Sequence, residues 1–156
     1  MIRHRHRTGA TPSLVINEIA AEELTLGDIK GYVEQWLDRA QDYTWYFHPA
    51  VPLALLRSLE NGTGPLDDSL TGWQQWLKHE RDTFRTENDC DDTPWDADFA
   101  HWLTAGGFWE RDTAVVATEQ GGWRPGFGVH DGNHRVATAH EQGMTTLPAY
   151  LGVRRD

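Results

Sequence analysis

An α+β fold is predicted, with a small mixed sheet, packed helices and a Trp-rich helical segment set into it. Three observations point there. Apolar residues recur at three and four in the middle of the chain, which is helical spacing. From Asp96 onward the pattern turns mixed, with short β-branched runs, glycine turns and short helical stretches. The 156 residues also include eight Trp, four Tyr and five Phe in a 38% hydrophobic composition, enough for a proper core in one domain.

The first element expected is a strand at Leu14-Val15-Ile16-Asn17-Glu18-Ile19, rich in β-branched residues after Pro12. Ala20 to Leu24 follows. A helix starts near Asp28, where Ile29, Tyr32, Val33, Trp36 and Leu37 make one apolar stripe. Pro49 and Pro52 bracket the start of another helix, Leu53 to Leu59, which Asn61-Gly62 ends. Gly62-Thr63-Gly64-Pro65 is a turn or loop. The next helix runs from about Ser69 to Phe84, with Trp73, Trp76, Leu77 and Phe84 on its apolar face.

Glu87 to Asp98 is the most acidic stretch, without the ligand spacing or turn glycine of a calcium loop. It reads as solvated. Asp96 to Leu103 suits a short helix, stopped by Gly106-Gly107. Thr113 to Ala117 and Phe127 to His130 are strands, joined as a hairpin through a Gly-rich link. Asp131-Gly132-Asn133 then opens a helix whose core side is Val136, Ala137 and Ala139, with Gly143 as its C′ residue. Thr145 to Val153 is the last strand, and Pro148 within it suggests an edge position or an irregular start.

Charge and cysteine content exclude several classes. The formal net charge is −10, and three of the 14 bases (Arg3, Arg5, Arg7) lie in the first seven residues. The rest carries 11 bases against 24 acids, or −13. Such a body repels phosphate backbones, so nucleic acid is disfavoured as a partner. The one cysteine, Cys90, excludes an intramolecular disulfide framework and an all-cysteine zinc site. No stretch approaches the ~20 apolar residues that span a bilayer. Met1 to Arg7 leads into no apolar run of a secretory signal, so the expected location is cytoplasmic with no membrane partner.

The sharpest chemical signal is Val129-His130-Asp131-Gly132-Asn133-His134-Arg135. A strand ends, a glycine turns the chain, and a helix begins with His and Arg in its first turn. The exposed N–H groups of a helix start form an anion site. A cation there opposes the helix dipole, by about 0.3–1 kcal/mol each. Arg135 therefore calls for a compensating anion. Two readings stand side by side: a bound phosphate, or Asp131 capping the helix and pairing with Arg135. His130, His134 and His140 could share a metal, though the glutamate of a metalloprotease motif is missing. The aromatics Tyr43, Trp45, Tyr46 and Phe47, with Trp73 and Trp76, could line a pocket, core packing being the plainer reading.

The run D-G-N-H-R-V-A-T-A-H-E-Q-G-M-T-T-L-P-A-Y resembles the signature of the ParB/sulfiredoxin-like superfamily: D-G-x-H-R, an Ala-rich helix, Gly, and a strand containing Pro. The similarity covers residues 96–153 and loosely 14–26. It implies a core at 12–27 and 95–156 in a single domain spanning 1–156, with 28–94 as a helical insertion. The resemblance implies a nucleotide site in which His134 and Arg135 hold phosphates and Gly132 and Asn133 contribute backbone. Asp131 matches the motif acid, which serves magnesium or orients the motif. Kinase-like relatives place a carboxylate after the first strand, which makes Glu22 the matching general-base candidate, beside Glu18 and Glu23. Sulfiredoxins carry a catalytic cysteine where Asn133 stands, so sulfinic acid reduction is not expected. ATP, or another nucleoside triphosphate, with magnesium is the expected ligand, and a small molecule the expected phosphoryl acceptor. The alternatives are a nuclease or DNA-associated protein, and a non-catalytic binding or regulatory protein.

Overall fold

The computed structural model describes residues 22–24, 39–59, 62–104, 115–120 and 126–155. The expected strand at Leu14–Ile19 and the helix from Asp28 lie outside the described residues. The strands are β1 (Glu22–Leu24), β2 (Tyr43–Pro52), β3 (Leu56–Ser58), β4 (Val115–Glu119), β5 (Phe127–Asp131) and β6 (Thr146–Arg154). The helices are α1 (Leu70–Asn88), α2 (Pro94–Thr104) and α3 (Asn133–Glu141). Together the strands make one mixed sheet in the order β1-β2-β6-β4-β5-β3. β4 runs parallel to β6 and β3 parallel to β5, and the other pairs are antiparallel. The α+β class is as the sequence predicts.

Side-chain bonds secure the starts of α1 and α2, and left-handed residues close α1 and α3. Ser69 caps α1, its hydroxyl accepting from Gly72 N at 3.1 Å, and Asp67 in turn accepts from Ser69. Asp89, left-handed at φ 48°, closes the far end. In α2 the proline stands at the first helical position, while Thr93 and Asp96 bond reciprocally across the first turn. α3 ends at Gly143, φ 73°, with Met144 N donating to Ala139 O at 3.0 Å.

The three α-helices among the described residues supply side chains to one core that covers a single face of the sheet. Trp73 and Leu77 of α1, Phe99 and Trp102 of α2, and Val136, Ala137 and Ala139 of α3 meet Val115, Ala117, Val129, Ala149 and Leu151 of the sheet. Alternate residues Trp45, Val116 and Tyr150 are buried as well, outside that cluster. Arg81 ties the helices together at their outer edge. Its guanidinium bonds Asp96 at 2.7 and 2.9 Å and Glu141 at 2.6 and 2.8 Å, joining α1 to α2 and α3. Its hydrogen bonds to the Glu141 and Asp96 carboxylates push the Arg81 pKa further up. Burial works to raise the Asp96 carboxyl, but the bonds from Arg81 and Thr93 hold it below the ordinary value.

Three expectations are corrected. The described residues of 28–94 do not form a purely helical insertion: β2 is an interior strand and β3 an edge strand of the main sheet. The helix expected over Leu53–Leu59 is a single 3₁₀ turn, Leu53–Leu55, leading into β3. Leu56 there pairs with Phe127, and the sheet's backbone hydrogen bonds outweigh a short helix's own. Of the two settings that Pro148 suggests, the edge position is not found, for β6 lies between β2 and β4, whereas an irregular start is. Its Pro148 is tolerated because the β2 ladder shifts register opposite it, between His48 and Val51, and the β4 ladder starts at the next residue, Ala149.

Candidate functional site

β3 and β5 run parallel and end side by side, at Ser58 and Asp131. The crevice outside the carboxyl ends of neighbouring parallel strands is where sheets of this kind hold ligands. Two connections meet there. The turn after β5 passes through Gly132 at φ 113°, a conformation that favours glycine, and α3 starts at once. Val136 N closes the first helical turn on Gly132 O at 2.9 Å. The amides of Asn133, His134 and Arg135 therefore precede the first intrahelical bond. The loop after β3 arrives from the other side. Asn133 Nδ2 donates to Thr63 Oγ1 at 3.2 Å, and a Cβ on Gly64 would stand 2.7 Å from Asn133 Oδ1. Asn133 is 6% exposed, and its buried Oδ1 has no hydrogen-bond partner among the described residues.

Arg135 folds back over this turn. A Cβ on Gly132 would sit 3.2 Å from Arg135 Nη1 and 2.8 Å from Val115 Cγ2. Arg135 Nη2 stands 3.7 Å from Asp131 Oδ2, an ion pair longer than a charge-assisted hydrogen bond. Asp131 does not cap the helix; Gly132 holds that position and offers no side chain.

His134 has a different setting from the one the motif implies. Its ring stacks on Trp95 with centroids 4.0 Å apart and 18° between planes, and packs against Trp76 at 4.9 Å. Nε2 lies 3.0 Å from Glu80 Oε1. Burial lowers the His134 pKa and outweighs the Glu80 carboxylate, which raises it; the Arg135 charge also lowers it. The imidazole is thus neutral near pH 7. Glu80 and Trp95 were not legible as site residues, and Trp76 was read only as a pocket or core aromatic. One signal was present: Glu80 continues the stripe Trp73-Trp76-Leu77 one turn on, a carboxylate on the apolar face of a helix.

The two carboxylates expected to work together are not brought together. Glu22 pairs with Phe47, Phe47 with Tyr150, Tyr150 with Val116, and Val116 with Asp131. Glu22 and Asp131 thus share one row of the sheet, four strand spacings or about 19 Å apart. The histidines do not share a metal either. His130 Nε2 meets Thr118 Oγ1 at 2.8 Å, while His140 stacks on Trp73. Among the described residues no three His, Cys, Asp or Glu gather to hold a metal ion. A lone carboxylate still suits magnesium, which takes one or two carboxylates plus the phosphates it arrives with. Trp45 and Trp73 belong to different clusters, so the aromatic series does not line one pocket. A surface hollow of about 430 Å³ beside Lys78, Arg81 and Arg85 lies along α1, its central guanidinium already held by two carboxylates.

Four histidines, at 48, 130, 134 and 140, have pKa values lowered from 6.5 by burial. Below pH 6.5 the unfolded chain takes up protons that the folded chain resists, so this stability is complete above 6.5 and drains as pH falls. Thermal unfolding followed from about pH 7.5 to about pH 5 should show a falling midpoint; a flat or rising profile would contradict the burial described.

The chain matches no family model, no curated protein and no solved structure. No helix among the described residues is long and apolar enough to cross a membrane.

Proposed function

We propose that this chain is a ParB/sulfiredoxin-like enzyme that binds a nucleoside triphosphate, ATP in the first instance, at the β5–α3 turn. Its reaction is phosphoryl transfer to a small acceptor, or hydrolysis of the phosphoanhydride. One observation carries the reading: Gly132 starts α3 in a left-handed turn and the Arg135 guanidinium folds back to the same spot. Helix N–H groups, the dipole and a fork of donors then lie together at one turn, a donor set suited to a phosphate. Asn133 lends backbone, and the Asp131 carboxylate is the group to hold magnesium, which neutralises phosphate charge when bound. Phosphoryl transfer asks a protein mainly for such positioning and charge. Glu22, across the sheet, is not carried forward as base.

A second reading has its own support. The Asp131–Arg135 and His134–Glu80 contacts use the motif internally, as a non-catalytic binding or regulatory protein would.

Thermal unfolding with and without ATP and magnesium separates the two. Ligand should stabilise the fold by about 2.7 kcal/mol at a hundredfold excess over its dissociation constant. Arg135→Ala should remove most of that gain while the free protein stays folded, and Arg135→Lys should restore only part, since an ammonium cannot grip two oxygens at once. If no nucleoside di- or triphosphate shifts the midpoint, the second reading stands instead.

A further inference from the structure

His134 is held in a way that leaves one atom with nothing to do. Trp95 stacks on the ring and Trp76 packs against it at a tilt of 34°, so the imidazole is held between two aromatic neighbours. The Nε2 edge is taken by Glu80 at 3.0 Å. A carboxylate only accepts hydrogen bonds, so Nε2 carries the proton and Nδ1 carries the lone pair. No partner reaches Nδ1 among the described residues, nor is it among the buried orphan atoms; the side chain is 33% exposed. The lone pair lies in the ring plane, so the stack on Trp95 fixes its direction without covering it. His134 is also the second residue of α3, and helical side chains lean toward the helix start. Arg135 is the next residue, near enough for its charge to act on the imidazole.

We infer that His134 is a phosphoryl-accepting nucleophile, taking the terminal phosphoryl group of a nucleoside triphosphate on Nδ1, with Glu80 as the residue that positions it. The inference rests on the nucleotide reading above and adds a covalent step to it. Nδ1 forms a bond to the γ-phosphorus as the bond from that phosphorus to the bridging oxygen breaks, and the electron pair leaves with the nucleoside diphosphate. The Nε2 proton stays in its hydrogen bond, so the phosphorylated, cationic ring is balanced by the Glu80 carboxylate. An acceptor hydroxyl or water then takes the phosphoryl group, its proton passes to solvent, and the N–P electrons return to Nδ1.

The test is incubation of the full chain with ATP labelled at the γ-phosphate and magnesium, quenched in alkali, with ATP binding measured calorimetrically on the same protein. Label that is stable in alkali, lost in acid and mapped to the peptide bearing His134 is the expected result. His134→Gln should carry none. Because that change removes a stacked ring, Glu80→Gln serves as the second variant. A glutamine can donate to Nε2 and release the tautomer, so labelling should slow while ATP binding persists. Binding of ATP without acid-labile label, or label on another residue, or label retained by His134→Gln, overturns the inference and leaves the nucleotide reading standing. Neither binding nor label overturns both.

Discussion

Trp73→Ala should lower the unfolding free energy by about 3–5 kcal/mol, the range for removing a large buried aromatic. Trp73 is 1% exposed and sits in the core cluster where α1 meets α3. Its ring meets Trp76 edge-on at 6.0 Å and stacks on His140 at 6.1 Å, so truncation removes packing on both helices. Trp76 in turn packs against His134, and the loss should loosen the candidate site as well as the core. Urea unfolding of the variant measures it. A loss below about 1 kcal/mol would mean that α1 does not pack on the sheet as described.

Gly132→Ala is the second large effect, and its magnitude divides into two causes. The left-handed backbone at φ 113° costs a residue with a Cβ about 1–2 kcal/mol. The new methyl would also stand 2.8 Å from Val115 Cγ2, and crowding of that kind costs about 1–3 kcal/mol. A combined loss of about 2–5 kcal/mol is expected. Gly143→Ala is the control, since its φ is 73° but nothing lies within 4 Å of the added atom. It should show the backbone cost alone. Equal losses at the two positions would show that Gly132 is not wedged between β4 and Arg135.

The parts of this fold legible in the sequence are those whose determinants are close together along the chain. Ser69 caps α1 three residues before the amide it binds, Gly143 ends α3 beside the carbonyls it frees, and the β5–Gly132–α3 turn lies within a few residues. Local chemistry settles such features. β2 was not legible because Tyr43 to Phe47 offers apolar residues on both faces, with neither a strand's alternation nor a helix's stripe. It is buried from both sides at Trp45 and His48, which only its place inside the sheet explains. Leu53–Leu59 misled for the related reason that a short apolar run does not show its period.

The site divides in the same way. The β5–α3 turn and Arg135 lie within a few consecutive residues and were readable together. The surroundings of His134 come from α1 and α2, with Glu80 54 residues away, and no local pattern brings them to it. Glu22 was named as a base only because the resemblance implies a carboxylate after the first strand. The register sets it across four strands from Asp131 instead.

The central claim is that nucleotide phosphates sit on the start of α3. Backbone amide resonances followed by ¹H–¹⁵N correlation during titration with ATP and magnesium test it most directly. The account predicts the largest shifts at the amides of Gly132, Asn133, His134 and Arg135, with a response at Thr63 through its bond to Asn133, and their loss in Arg135→Ala. Saturable shifts confined to another part of the molecule, or none at any concentration, would contradict it.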